Sequence, residues 1–139
     1  MNKKVWVGAV IVFIAFGIMD YVVHSVLMMS TYQSMVDSGT FRAPDDAKMH
    51  VFFLVRALQS FFFALVFSKG YESKGMAEGI RYGLYMGVFG GVAFSYFAYG
   101  IFPIPYELAM KWFLYELVQW VIAGVLIAQY WGMKPKASG

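Results

Sequence analysis

The chain has 139 residues, of which 60% are hydrophobic, 20% aromatic and only 14% charged, with a net charge of +3. An average soluble domain carries about 25% charged residues, and so short a chain has too little interior to bury this much apolar surface. The composition therefore excludes an ordinary soluble domain and indicates an integral membrane protein. The sequence contains no cysteine, which excludes disulfides, thiolate catalysis and cysteine-ligated metal or iron–sulfur sites.

Four apolar runs follow one another along the chain, each close to the roughly 20 residues that span a bilayer core. They cover residues 5–29, 49–67, 80–102 and 112–131. The first run follows Asn2, Lys3 and Lys4 like the start of a signal peptide, but it is too long for one and no small-x-small cleavage site follows it. The sequence predicts a single all-α domain over residues 1–139, a four-helix transmembrane bundle.

The connections between the runs predict where the helices begin and end. The first connection is the longest; Gly39 and Pro44 break it, and Asp45 or Asp46 can cap the second helix. The third, PIPYELAMK, contains two prolines and is short enough to force an antiparallel hairpin.

Basic residues are distributed unevenly over the ends and connections. The N-terminus, the second connection and the C-terminus hold Lys3, Lys4, Lys69, Lys74, Arg81, Lys134 and Lys136, whereas the first and third connections hold only Arg42, Lys48 and Lys111. By the positive-inside rule, both termini are expected in the cytoplasm. Trp6, Trp112 and Trp131 then fall near the membrane interfaces. Since the positive charge follows topology, it indicates the lipid bilayer as partner and no nucleic acid.

The second and fourth runs align with each other. VRALQSFFFALVFSKGY pairs with YELVQWVIAGVLIAQYW, so that Arg56 matches Glu116 and Gln59 matches Gln119, and the first and third runs align more weakly. Two explanations are open: an internal repeat in which a two-helix hairpin is duplicated with parallel topology, and chance similarity between apolar helices.

Glycine recurs every four residues on one face of the third run. Such a small-xxx-small stripe, or glycine zipper, lets another helix approach closely, and van der Waals packing then drives association in lipid. The pattern predicts a helix-packing face, and its partner can lie in the same chain or in a second copy. The residues are Gly79, Gly83, Gly87 and Gly91, with Gly124 and Ala128 as the candidate partner face on the fourth run.

All four runs carry hydrogen-bonding side chains toward the end that the charge pattern places outside. Asp20 lies about nine residues, roughly 13 Å, below the end of the first run. Ionised side chains facing lipid cost about 2.5–3.5 kcal/mol at the bilayer centre, so we expect them to turn inward, with Arg56 between Asp20 and Glu116. Glutamine amides and tyrosine hydroxyls are expected to complete the hydrogen bonds. The predicted polar cluster is Asp20, His24, Arg56, Gln59, Tyr96, Tyr99, Glu116 and Gln119.

This cluster is a candidate binding site for a small ligand or ion. Two carboxylates and one guanidinium leave a deficit of one positive charge, which protonated His24, a proton on one carboxyl or a bound cation can supply. The sequence therefore favours a membrane protein that binds or transports a small ligand or ion, and it leaves a homodimer and a larger membrane complex both open. The alternative is an accessory subunit that uses the same charges to dock into or stabilise a larger membrane complex.

Cofactor and catalytic sites have less support. His24 and His50 stand at the outer ends of the first two runs and could both ligate a haem, but no haem-attachment motif is present. A metal site from Asp20, His24, His50 and a glutamate lacks paired HxxxH spacing. The ten methionines are scattered along apolar helices, as ordinary packing requires, rather than grouped as copper(I) ligands. Nothing matches GxSxG, a Ser/His/Asp set or a phosphate-binding loop. We therefore predict no cofactor, and no motif in the sequence supports an enzymatic activity.

The stretches SKGYESKGMAEGIRYGLYMG, PIPYELAMKWFLYELV, MDYVVHSVL and TYQSM resemble small four-helix bacterial membrane proteins of unassigned function, over nearly the whole chain. That resemblance implies a bacterial inner-membrane location and no mechanism. In size and helix count the chain is also similar to small multidrug transporters, whose first helix bears a membrane-embedded acid, as Asp20 does here. Those proteins use a glutamate and have shorter loops, and Arg56 beside the acid would weaken binding of a cationic drug.

Overall fold

The structure, a computed structural model, describes residues 2–133, so that Lys134 and Lys136 lie outside the described part of the chain. Residues 2–133 are mostly helical and contain no strand. A π-helical segment, Tyr21–Leu27, continues the first helix, and a 3-10 turn, Pro44–Asp46, precedes the third. The five α-helices are α1 (Lys3–Asp20), α2 (Met29–Asp37), α3 (Met49–Lys69), α4 (Met76–Ile101) and α5 (Tyr106–Gly132).

Four helical segments are long and apolar enough to cross a membrane, the same number as the runs that the sequence predicts as spans. They are Lys3–Leu27, Met49–Lys69, Met76–Ile101 and Tyr106–Gly132. The last two begin before the predicted positions 80 and 112. Hydropathy marks only the apolar part of a helix, whereas the first turns of α5 are amphipathic and carry an i, i+4 ion pair between Glu107 and Lys111.

The first connection contains a helix, α2, that the sequence did not predict. Its sequence MSTYQSMVD is polar, so no apolar run reveals it. The helix ends before Gly39, which adopts a left-handed φ of +74°. The expected capping of α3 by Asp45 or Asp46 is wrong, because Lys48 occupies the cap position without a side-chain hydrogen bond. Asp46 instead accepts hydrogen bonds from Arg42 and Lys48 at 2.8 and 3.2 Å.

Two helix pairs build the bundle. Helix α1 packs against α3, α4 packs most extensively against α5, and contacts between α1 and α5 join the pairs. Trp120 lies in the centre, with its ring centroid 5.1 Å from those of both Phe16 and Phe63. Large apolar side chains such as Phe52 and Phe89 remain exposed on the outer faces of α3 and α4, as contact with lipid tails allows.

The glycine stripe of α4 packs against α5 of the same chain. A Cβ on Gly79 would collide with the carbonyl oxygen of Gly124, and a Cβ on Gly83 would collide with that of Trp120. The two backbones therefore touch, and only glycine fits between them. Gly87, Gly91 and Ala128 belong to the same interface, beside Leu117, Phe113 and Gly79 respectively.

Charged side chains close the end of the bundle that holds the start of α1. Glu78 is buried, and its carboxylate accepts hydrogen bonds from the backbone N–H groups of Glu72 and Lys74 at 2.6 and 2.9 Å. Lys4 Nζ donates to the carbonyl oxygen of Trp131 at 3.2 Å. The two bonds to Glu78 fix the connection between α3 and α4, and the bond from Lys4 joins the start of α1 to the end of α5. The polar cluster lies toward the opposite end of the bundle.

Candidate functional site

An arginine on α3 lies between two carboxylates from other helices. Arg56 Nε and Nη2 donate to the two carboxylate oxygens of Asp20, both at 2.7 Å. Nη2 also donates to Glu116 Oε1 at 2.6 Å, and Nη1 donates to Gln59 Oε1 at 3.0 Å. The structure thus brings Asp20, Arg56, Gln59 and Glu116 together, and the charges connect α1, α3 and α5.

Asp20 is the last residue of α1, and His24 lies in the π-helical segment that follows. His24 Nε2 is 3.9 Å from Asp20 Oδ1. A π-helical turn contains more residues than an α-helical turn, and such segments are frequent at functional sites. The segment therefore presents a carboxylate and an imidazole to the same side of the helix, next to Arg56.

A layer of hydrogen bonds covers the charged residues. The Tyr32 hydroxyl on α2 lies 2.5 Å from His24 Nδ1 and accepts a hydrogen bond from Trp112 Nε1 at 2.7 Å. Burial raises the pKa of Tyr32 to about 12, so the phenol keeps its proton at neutral pH. That proton goes to Nδ1, because the sulfur of Met28, at 3.6 Å, is a weak acceptor. His24 then carries its own proton on Nε2, facing Asp20.

Aromatic side chains form the inner boundary of the cluster. Trp120 Nε1 donates to Glu116 Oε2 at 2.9 Å, which occupies the carboxylate oxygen that Arg56 leaves free. The guanidinium carbon of Arg56 lies 4.9 Å from the centroid of the Phe16 ring, within the range of a cation–π contact. Because Phe16 and Trp120 are buried, they separate the charges from the apolar interior.

The cluster carries more negative than positive charge. Asp20 and Glu116 face the single guanidinium of Arg56, so with neutral His24 the formal charge is −1. Asp20, His24 and Glu116 can each offer one ligand atom, and these atoms all lie within 4.8 Å of one another. The carboxylate oxygens can hold a proton or a small cation directly, and His24 can ligate a cation through Nε2 once the Nε2 proton has left.

Gln119 does not contact Arg56, although the sequence placed it in the cluster. Its side chain is 2% exposed, and neither of its amide atoms has a hydrogen-bond partner within residues 2–133. Its expected role in the hydrogen bonds of Arg56 is therefore wrong, because α5 turns Glu116 toward the guanidinium and Gln119 toward α1. Trp120, four residues beyond Glu116, completes the hydrogen bonds instead.

The tyrosines of α4 and the second histidine also lie apart from Arg56. Tyr96 and Tyr99 pack against Tyr106, with ring centroids 6.2 and 5.7 Å away. His50 is exposed in the first turn of α3. Of the predicted set, the structure thus gathers Asp20, His24, Arg56, Gln59 and Glu116.

Three residues of the site were missing from the sequence-based set: Tyr32, Trp112 and Trp120. Trp112, Glu116 and Trp120 recur every four residues, so they lie on one face of α5, and this periodicity could have revealed both tryptophans. No such periodicity identifies Tyr32, because it lies over His24 only when the first connection folds into the helix α2.

Comparison with known proteins gives no relative from which a role could be transferred. No family model, no curated protein and no solved structure matches the chain. The functional argument therefore depends on the geometry of the cluster.

Proposed function

We propose that the chain is a multi-pass membrane protein that binds, and carries across the bilayer, a small ligand or ion, with a proton or small cation as the favoured ligand. The observation that carries this proposal is the excess of one carboxylate over guanidinium among side chains that are only 15–23% exposed. An uncompensated charge at membrane depth is unfavourable, and a proton or a cation near His24 neutralises it.

The exposure of the cluster suggests an entry route. The side chain of His24 is 36% exposed, that of Asp20 23% and that of Glu116 15%. A cation that enters from this end meets the imidazole first and the two carboxylates after it. Chains of histidine and acidic residues are the usual proton relays of membrane proteins.

We further propose that both termini face the cytoplasm, that the cluster opens outward and that the protein resides in a bacterial inner membrane. Lysines at the start of α1 and on the connection between α3 and α4 support this orientation by the positive-inside rule. The inner-membrane location rests on the resemblance to small bacterial membrane proteins. The meeting of Arg56 with Glu116, which align in the sequence, supports a duplicated hairpin, since equivalent residues near a pseudo-two-fold axis face each other.

A second candidate function is that of an accessory subunit in a membrane complex. Its specific support is that every nitrogen of the Arg56 guanidinium already donates to an acceptor in this chain. Such a saturated ion cluster can fix helix register without any chemistry.

Transport assays in proteoliposomes with a trapped pH dye separate the two functions. We expect the wild type to dissipate an imposed pH gradient and Asp20→Asn to abolish this flux while the protein remains folded, because the substitution balances the charge of the cluster. Glu72→Gln, which removes an exposed carboxylate at the other end of the bundle, is the matched control and should retain the flux. Unchanged flux in Asp20→Asn would show that Asp20 does not belong to the binding site. Wild-type vesicles that move neither protons nor added Na⁺ or Mn²⁺ would favour the accessory subunit.

A further inference from the structure

The imidazole of His24 has to change its tautomer before it can bind a metal ion beside the two carboxylates. The Tyr32 hydroxyl donates to Nδ1, so the ring proton lies on Nε2, the nitrogen that is 3.9 Å from Asp20 Oδ1. A ring nitrogen that carries a proton has no free electron pair for a metal ion. Ligation through Nε2 therefore moves the ring proton to Nδ1, where it requires an acceptor.

The hydroxyl of Tyr32 can serve both tautomers of His24. A hydroxyl group has one proton to donate and can accept two hydrogen bonds. Trp112 Nε1 donates to this oxygen at 2.7 Å, which leaves one acceptor position for an Nδ1–H group. The sulfur of Met28, which is buried and lies 3.6 Å from the oxygen, offers the hydroxyl proton a second acceptor. Rotation of the O–H bond alone thus converts Tyr32 from donor to acceptor.

We propose that Asp20, Glu116 and His24 Nε2 bind a divalent first-row metal ion of the class of Zn²⁺, and that Tyr32 is the positioning residue that accepts the Nδ1 proton of His24. This inference rests on the function proposed above and names the class of cation. The three ligand atoms lie within 4.8 Å of one another. An imidazole ligand suits Zn²⁺, whereas Mg²⁺ and Ca²⁺ prefer oxygen ligands alone.

The position of Tyr32 agrees with this assignment. Histidines that bind metals almost always donate their other ring N–H to a neighbouring group, which fixes the tautomer and the orientation of the ring. Tyr32 lies 2.5 Å from Nδ1, on the opposite side of the imidazole from Asp20. The bond from Trp112 holds the hydroxyl oxygen in place whichever way its proton points.

The charge of the cluster fits a divalent ion that carries a water molecule. The cluster has one excess negative charge, and a divalent ion alone would convert it to one excess positive charge. Three protein ligands and a water form the usual open zinc site, and water bound to Zn²⁺ ionises near neutral pH. Release of that proton to the solvent leaves a bound hydroxide and a neutral cluster.

Nitrogen-15 NMR of the full chain, with labelled histidine, measures which ring nitrogen of His24 carries the proton. The chain has only two histidines, so His50→Gln, prepared in nanodiscs without a histidine tag, leaves His24 as the single signal. We expect a protonated Nε2 before Zn²⁺ is added, and a protonated Nδ1 with a metal-bound Nε2 afterwards. Competition with a chromophoric chelator measures the Zn²⁺ affinity of the same samples.

Tyr32→Phe removes only the hydroxyl and should weaken Zn²⁺ binding by about 10–100-fold, the usual effect of losing a group that orients a metal-bound histidine. Tyr85→Phe is the matched control, because it removes an exposed hydroxyl on the outer face of α4, and it should retain the affinity. Met28→Leu removes the second acceptor of the hydroxyl proton. It should also weaken Zn²⁺ binding while Nε2 stays protonated in the metal-free protein.

Zn²⁺ binding with the proton still on Nε2, or equal affinity in Tyr32→Phe and Tyr85→Phe, would overturn the role of Tyr32. Absence of Zn²⁺ binding to the wild type would overturn the class of cation. Neither result decides the proposed function, because a proton flux that is lost in Asp20→Asn would still support it.

Discussion

Arg56 is the residue on which the polar cluster depends. Its guanidinium donates to carboxylates on α1 and α5 and to an amide on its own helix. Loss of one partner from a buried ion pair leaves the opposite charge uncompensated, which destabilises a fold far more than the net contribution of the intact pair suggests.

We predict that Arg56→Ala lowers the free energy of unfolding by about 3–5 kcal/mol, because Asp20 and Glu116 then face each other without a cation between them. Unfolding in mixed detergent micelles, followed by circular dichroism, measures the change. Arg42→Ala is the control: Arg42 and Asp46 form an ion pair with side chains 62% and 56% exposed, and such pairs contribute little. An equal loss in the two variants would contradict the assignment of Arg56 as the central cation.

We also predict a pH dependence that arises from Tyr32. Burial raises the pKa of this phenol from its ordinary value of 10.0 to about 12 in the folded protein. A group with a raised pKa contributes stability that is fully present below its ordinary pKa and is lost as the pH rises through the folded value. The stability difference between the wild type and Tyr32→Phe should therefore shrink between about pH 10 and about pH 12. A difference that stays constant over this range would show that the Tyr32 phenol is not buried in the folded protein.

At the scale of the helices, the contact between α4 and α5 is the closest in the bundle. It depends on glycines that face backbone atoms rather than movable side chains. The short helix α2 is attached in a different way: none of its residues is fully buried, and the half-buried Tyr32 connects it by hydrogen bonds to His24 and Trp112. The bundle thus combines one tightly packed hairpin with a covering helix held by a few polar contacts.

Gly83→Ala should destabilise the protein by about 1–3 kcal/mol, the usual range for overpacking. The new Cβ would lie 2.6 Å from the Cα atom of Val121, and a backbone atom cannot move aside as a side chain would. Gly100→Ala on the same helix is the matched control, since nothing lies within 4 Å of the added Cβ. It should be neutral or slightly stabilising, because alanine favours helix over glycine. Equal stability of the two variants would contradict the close packing of α4 against α5.

At the scale of the whole molecule, orientation in the membrane determines what the charged cluster can contact. The basic residues near the start of α1 and between α3 and α4 favour a cytoplasmic position for that end, so that α2 and His24 face outward. A cation would then reach His24 from the outer side. Because the chain contains no cysteine, a single introduced cysteine can be labelled without background, and such labelling can test this orientation.

We predict that Ser38→Cys reacts with a membrane-impermeant maleimide in intact spheroplasts and that Ser73→Cys reacts only after the membrane is opened. Ser38 follows α2 and Ser73 lies between α3 and α4, and both are exposed at opposite ends of the bundle. Detergent-solubilised samples serve as the labelling control. The reverse pattern would invert the proposed topology and place the polar cluster on the cytoplasmic side.

Composition and the spacing of apolar residues were sufficient to predict an all-helical chain with four spans, because lipid allows a single chain of this kind few other structures. The same reasoning placed Asp20, Arg56 and Glu116 at similar depths, where charged side chains must turn inward. Only the contacts between helices decided which of the remaining polar residues join them. The orientation of α5 directs Glu116 and Trp120 to Arg56 and leaves the Gln119 amide without a hydrogen-bond partner among residues 2–133. The polar first connection folds into α2 and so brings Tyr32 onto His24. Hydropathy predicts neither the orientation of α5 nor the path of α2, because both depend on how neighbouring helices pack.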